Sequence, residues 1–181
     1  GQFDRVKLIY TIPEHANPTG ISLAEDRRKP LLDLANRWSA IAGRRIFILE
    51  DAAYHGLSYG TPEAKSIWSF DDKAETVILA RTFSKTFSPG FKLGYGVLPH
   101  DLVDPILRLK GNHDFGSSNF AQRLMHRVIA AGDYDRHIER LREIYGRKRD
   151  VFLDALDRFL KPFEGEVAWT RPQGGLFVWM T

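Results

Sequence analysis

The chain has 181 residues, 43% hydrophobic and 27% charged, with 26 basic against 23 acidic side chains and a formal net charge of +3. That suits one globular domain with part of a second. Cysteine is absent, which excludes disulfide staples, zinc–thiolate sites and cysteine nucleophiles, and no apolar run approaches the roughly 18 residues of a membrane span. Residues 133–160 carry seven charges of each sign, the pattern of a solvated helix rather than of a nucleic-acid-binding face. With no signal-like amino terminus either, the expectation is a soluble, cytoplasmic chain with neither membrane nor nucleic acid as partner.

Val6 to Ile12 is an apolar run without strict alternation, as in a strand buried on both faces. The loop Pro13-Glu-His-Ala-Asn-Pro-Thr-Gly20 follows, dense in turn residues. Ser22 and Glu25 have the spacing of a capping box that opens a helix through about Ala42, stopped by Gly43. Pro30 is expected to kink or split that helix. Arg45 to Leu49 reads as a second buried strand, Thr76 to Ala80 as a third and Phe91 to Leu98 as a fourth, with Pro89-Gly90 turning between the last two. Glu50, next to Asp51, is expected to be exposed. Apolar spacing predicts helices over about 101–110, 118–131 and 133–160, with Gly111–Gly116 as a loop between the first two. Val167–Trp169 and Leu176–Met180 read as strands of a second, smaller unit. The chain opens at Gly1 without a methionine and stops at Thr181 directly after an apolar run, from which an internal fragment of a longer protein is expected.

Short apolar strands alternating with helices predict an α/β fold, a mostly parallel sheet flanked by helices. Ligands in such sheets bind beyond the carboxyl ends of the strands. Asn17 follows the first strand; Asp51 and Tyr54 follow the second; Thr82, Ser84 and Lys85 follow the third. A carboxylate at the end of a buried strand calls for a cation or several donors, and a protonated ring nitrogen would meet it. A lysine in a partly dry, cationic pocket has its amine form favoured, and that amine attacks aldehydes to give a Schiff base. Hydroxyls in a turn rich in backbone N–H groups hold a phosphate. Aldehyde, ring nitrogen and phosphate on one small molecule describe pyridoxal 5'-phosphate.

Asn17-Pro-Thr-Gly20, Asp51-Ala-Ala-Tyr54 and Thr82-Phe-Ser-Lys85, followed by Pro89-Gly90, resemble in that order the fold type I, class I/II aminotransferases. The resemblance runs from about Val6 to Met180 and includes Pro172-Gln-Gly-Gly-Leu-Phe-Val-Trp179, which is similar to the start of the family's small domain. It implies that residues 1–132 are part of the large, cofactor-binding domain, and that 133–181 are a bridging helix and the start of a small carboxyl-terminal α+β domain. It also implies that Lys85 is the catalytic residue, forming the Schiff base and relaying the proton at the substrate α-carbon. Asp51 would keep the pyridine nitrogen protonated, Asn17 and Tyr54 would hydrogen-bond the ring hydroxylate, and Thr82 and Ser84 would contact the phosphate. Where the family usually has an arginine seven residues after the lysine, this chain has Lys92, which keeps the charge but loses the bidentate fork.

The implied activity is transfer of an amino group from an α-amino acid to a 2-oxo acid, in a homodimer. The segments that bring the ring-stacking aromatic and the substrate-clamping arginine lie outside these 181 residues, so this stretch alone is expected to be inactive. The alternatives are a sibling β-lyase or decarboxylase, and a cofactor-sensing, aminotransferase-like domain of a transcription regulator, which Asn17 argues against. Ser84-Lys85-Thr86 lacks the glycine pattern of a nucleotide-binding loop. The six histidines lack metal-ligand spacing and are expected on the surface or in loops, with His55, beside Tyr54, the exception. Phe83, Phe87 and Phe91 are expected to pack the lysine turn.

Overall fold

A computed structural model describes residues 5–163 and 165–181. Strands β1 (Leu8–Thr11), β2 (Phe47–Asp51), β3 (Val77–Thr82) and β4 (Gly94–Val97) lie side by side in chain order. The first three are mutually parallel and β4 runs antiparallel to β3. Helix α1 (Glu25–Ala42) makes the crossover from β1 to β2, and α2 (His100–Asp114), α3 (Asn119–Ala130) and α4 (Asp133–Leu160) follow β4. None of the helices among the described residues is long and apolar enough to cross a membrane.

The period-2 alternation of side chains gives the sheet two unlike faces. Ile9, Ile48 and Val77 point to the face covered by α1, where they pack with Leu32, Ala35 and Ile67 into the apolar core. On the other face Leu8 and Tyr10 are 48% and 57% exposed, so β1 is not buried on both sides; it is the sheet's edge and only its inner face meets α1. Glu50 is fully buried, contrary to expectation. It points to the core side, where its carboxylate accepts from Ser66 Oγ at 2.7 Å and from the backbone N–H groups of Ile67 at 3.1 Å and Trp68 at 2.8 Å. It thereby caps the short 3-10 turn Ile67–Phe70, whose first N–H groups have no partner within the turn.

Several expected boundaries move for identifiable reasons. Helix α1 begins at Glu25 behind Ala24 with no side-chain cap, because the two capping-box residues bond elsewhere. Ser22 Oγ accepts from the His15 backbone N–H at 3.0 Å, and Glu25 Oε2 accepts from the Lys65 N–H at 3.2 Å. Pro30 lies inside an unbroken helix; it is exposed, so the carbonyl it leaves without a donor can be hydrated. Gly43, with φ +63°, ends the helix as expected. The fourth strand starts at Gly94 rather than Phe91, since Pro89–Phe91 form a 3-10 turn closed by Lys92 at φ +48°. Helix α2 continues to Asp114, so Gly111–Asp114 are helical rather than loop. The two expected carboxyl-terminal strands shrink to one antiparallel bridge, Trp169 with Met180.

One buried cation organises the segment between β1 and α1. Arg28 is wholly removed from solvent, and its guanidinium donates to Glu14 Oε1 at 3.1 Å, to the Pro13 carbonyl at 3.1 Å, to the Leu23 carbonyl at 3.2 Å and to the Lys65 carbonyl at 2.9 Å. The loop carrying Asn17 is therefore clamped at both of its ends. Removing one member of a buried ion pair typically costs about 3–5 kcal/mol, because the other is left uncompensated. Arg28→Met is expected to lower the unfolding free energy by about that amount in urea titrations, whereas Lys29→Ala, which breaks the exposed pair with Asp33, should change it by no more than ~0.5 kcal/mol.

Candidate active site at the carboxyl edge of the sheet

Parallel strands bring their carboxyl ends to a common edge, and the register fixes which side chains share a face there. Asp51 pairs with Ala80, and the Ala52 N–H donates to the Ala80 carbonyl at 2.9 Å. Asp51, Ala80 and Thr82 consequently project to the same side, the open one that also bears Tyr10. The Tyr10 hydroxyl donates to Asp51 Oδ2 at 2.7 Å. That bond to the carboxylate, with some burial and the Asp51 charge, pushes the Tyr10 pKa up to about 12. Sequence reasoning missed Tyr10; the available signal was its place in the strand, since it faces Leu49, two residues before Asp51 on the same face.

Tyr54 is buried just past β2. Burial raises its pKa, a side-chain hydrogen bond with Asn17 lowers it and the Asp51 charge raises it, for a net rise. Asn17, from the loop after β1, thus acts on Tyr54, from the loop after β2. Phe177, a second residue the sequence reading did not single out, meets the Tyr54 ring edge-on at 5.5 Å. It is brought there by the 173–175 stretch, where the Tyr59 N–H donates to the Gln173 carbonyl at 2.7 Å and the Gly175 N–H to the Leu57 carbonyl at 2.9 Å. Gly175 has φ +73°, and a Cβ there would stand 2.3 Å from the His15 Cβ, so only glycine fits.

Beyond β3 the chain turns sharply. Thr82 Oγ1 lies 3.0 Å from Ser84 Oγ and accepts from the Ser84 N–H at 3.1 Å, while the Phe83 N–H donates to the Leu93 carbonyl at 3.0 Å. The last of these places Lys92 beside the Thr82–Ser84 turn. Lys85 follows on the same turn, exposed, and among the described residues its amine has neither a hydrogen-bond nor an ion-pair partner. The phenylalanines pack as expected: Phe87 meets Phe91 edge-on at 5.3 Å, and Phe83 meets Tyr134 at 5.7 Å.

Behind Asn17 lies a buried polar cluster that the sequence did not reveal. His15 lies in a loop, one of the two expected places for the histidines, but is 3% exposed. It is held in the left-handed region at φ +48°, with Nε2 3.0 Å from Ser58 Oγ and Nδ1 3.3 Å from Ser22 Oγ. Burial lowers its pKa, outweighing the nearby carboxylates of Glu63 and Glu14, which act in the opposite sense. Burial raises that of Glu14, but His55 and Arg28 together overcome it and hold Glu14 below the usual carboxylate range.

The family whose description is aminotransferase class I and II matches residues 4–181, and the chain belongs to it. Aromatic-amino-acid aminotransferase 1 of Thermococcus litoralis is 36% identical over 98% of this chain and 40% of its own length. The crystal structure of Pyrococcus horikoshii kynurenine aminotransferase, in complex with PMP, superposes with a TM-score of 0.89 at 35% identity, covering 97% of this chain and 41% of that one. An uncharacterised HTH-type transcriptional regulator of Bacillus subtilis, YisV, is 31% identical over 97% of this chain and 34% of its own length. The chain thus spans about two fifths or less of the length of these relatives. Its mostly parallel sheet flanked by helices is the fold type I arrangement.

The lowered pKa values of His15 and Glu14 set a pH dependence of folding. The unfolded chain takes up protons that the folded chain refuses, so stability is full above about pH 6.5 and declines as pH falls, first through His15 and then, below the ordinary carboxylate range, through Glu14. Thermal unfolding followed from pH 8 to about pH 2.5 should show this decline, and His15→Asn should flatten its first part while leaving the later part in place.

Proposed function

We propose that the protein carrying this chain is a pyridoxal-phosphate-dependent aminotransferase that moves an amino group from an α-amino acid to a 2-oxo acid. One observation carries the reading: the amine of Lys85, unpartnered among the described residues, stands on the turn leaving the sheet edge that also carries Asp51, Asn17 with Tyr54, and the Thr82–Ser84 hydroxyls. The donor set suits such a cofactor, with a carboxylate for a protonated ring nitrogen, an amide and a phenol for a ring oxygen, and hydroxyls with an ammonium for a phosphate. When bound, the cofactor supplies an electron sink for the charge that develops at the substrate α-carbon.

Within this reading Asp51 holds a proton at the ring nitrogen, and Tyr10, donating to Oδ2, leaves Oδ1 to make that contact. Asn17 and Tyr54 hydrogen-bond the ring oxygen. Thr82, Ser84 and Lys92 hold the phosphate; Lys92 contributes charge without the fork of an arginine. Lys85 would hold the cofactor through its amine and, when that amine is free, would take the proton from the substrate α-carbon and deliver it to the cofactor carbon on the far side of the amino nitrogen. Residues 1–132 form part of the large, cofactor-binding domain, and 133–181 the bridging helix and the start of the small domain. Exposed apolar side chains on α2 and α3, Leu107, Leu109, Phe120 and Ile129, support a homodimer, and the protein acts in the cytoplasm.

The full-length protein, loaded with pyridoxal phosphate and treated with borohydride, should carry the cofactor on Lys85 in peptide maps; modification at another lysine overturns the assignment. Lys85→Ala should slow the amino-acid-driven absorbance change by at least about 10²–10⁴-fold. The regulator relative favours a second reading, a domain that senses the cofactor without turnover; cofactor loading at Lys85 with no spectral response to any amino acid would select it. Lys92→Arg should tighten cofactor binding by about tenfold, or ~1.4 kcal/mol, in fluorescence titrations.

A further inference from the structure

Glu14, from the loop after β1, meets His55 and Glu63, both from the connection between β2 and the 3-10 turn Ile67–Phe70, and one donor atom of each lies within 4.8 Å of those of the other two. His55 Nδ1 stands 3.3 Å from Glu14 Oε2 and 3.9 Å from Glu63 Oε2. All three atoms are buried, and none has a partner of hydrogen-bonding geometry among the described residues; the contacts have the distance of an ion pair without the direction of a hydrogen bond. Glu14 is 3% exposed, and its free oxygen is aimed into the group. An unsatisfied buried polar atom is costly, so two carboxylate oxygens and an imidazole nitrogen facing one another call for a common partner.

The other oxygen of each carboxylate is already held. Arg28 donates to Glu14 Oε1 at 3.1 Å, and Arg142, at 3.4 Å, and the Ser58 N–H, at 3.2 Å, donate to Glu63 Oε1. This is how outer partners orient metal ligands, leaving the inner oxygens to coordinate. The side chains of His55 and Glu63, 28% and 20% exposed, form the solvent side of the group, with Glu14 at its floor.

We propose that Glu14, His55 and Glu63 form a binding site for a divalent first-row transition ion, of which Zn²⁺ is the representative. One imidazole nitrogen and two carboxylate oxygens suit such an ion rather than Mg²⁺ or Ca²⁺, which prefer oxygen alone. Tetrahedral ligands about 2.0–2.2 Å from zinc lie roughly 3.3–3.6 Å apart; His55 Nδ1 already has that spacing from Glu14 Oε2 at 3.3 Å, lies a few tenths of an ångström too far from Glu63 Oε2 at 3.9 Å, and all three atoms fall within 4.8 Å of one another. The ion ties the loop bearing Asn17 to the loop bearing Tyr54. It stands on these residues alone and does not rest on the function proposed above.

The test is titration of chelator-treated protein with ZnCl₂, read by calorimetry and thermal unfolding. One equivalent should bind with proton release and raise the melting temperature, and Co²⁺ in its place should give the visible absorption of a site with nitrogen and oxygen ligands. Glu63→Gln and His55→Gln should each weaken binding by at least about tenfold, whereas His113→Ala, on the exposed part of α2, should leave it unchanged. Absence of any Zn²⁺-dependent heat or melting shift in the wild type overturns the proposal, as does binding that survives in both ligand variants. Should a variant fail to fold, the Co²⁺ spectrum of the wild type still decides the matter, since its absence overturns the site as well.

Discussion

A guanidinium with no access to water must have its donors met by the protein. At Arg28 they are met by a carboxylate and three backbone carbonyls, drawn from Pro13–Glu14, Leu23 and Lys65. The residues between β1 and α1 contain no regular structure of their own. Without such an anchor their turns would be free to choose among many conformations, and fixing them costs conformational entropy. Arg28 supplies the fixed point, and the geometry of Asn17, His15 and Gly20 follows from it. Asn17 in turn acts on the Tyr54 hydroxyl just past the end of β2.

Loop 13–24 is thus a polar layer between the apolar core and the sheet edge. Glu14 faces Arg28 on one side and His55 on the other; His15 packs beneath Gly174 and Gly175; Ser58 and Glu63 close the layer from the loop after Tyr54. Arg142 reaches in from α4, donating to the Gly56 carbonyl at 2.8 Å. A buried network of this kind specifies one arrangement, because any other leaves a charge or a donor unpaired. It explains how a chain without disulfides holds loops rigidly enough for a binding site.

The edge itself is simpler. Three parallel strands end together, and side-chain alternation sends Asp51 and Thr82 to one side. Thr82 and Ser84 bond to each other, Lys92 is brought alongside through Leu93, and Lys85 has no partner among the described residues. A free amine beside an ordered set of donors is an arrangement in which the surroundings are structural and one group is left for chemistry.

Much of this was legible beforehand. Local patterns mark the three parallel strands, the helix stopped by Gly43 and the 28-residue α4, because apolar periodicity and glycine's access to positive φ act within a few residues. The order Asn17, Asp51–Tyr54, Thr82–Lys85 was readable for the same reason, since parallel strands must deliver their carboxyl ends to one edge. Other features depend on partners far away in the chain. Ser22 and Glu25 fit a capping box by spacing, yet His15 and Lys65 take their bonds; Glu50 looks solvent-bound until Ser66–Trp68 wrap it. Tyr10 joins Asp51 across 41 residues, and Glu14, His55 and Glu63 meet only after the loops close. Sequence alone determined the strands, their common edge and the residue types gathered there, because those follow from short-range propensity and topology. Which polar groups became buried, and with whom they paired, was decided by tertiary structure, because the free energy of a buried polar atom depends on its neighbours in space and not on those in sequence.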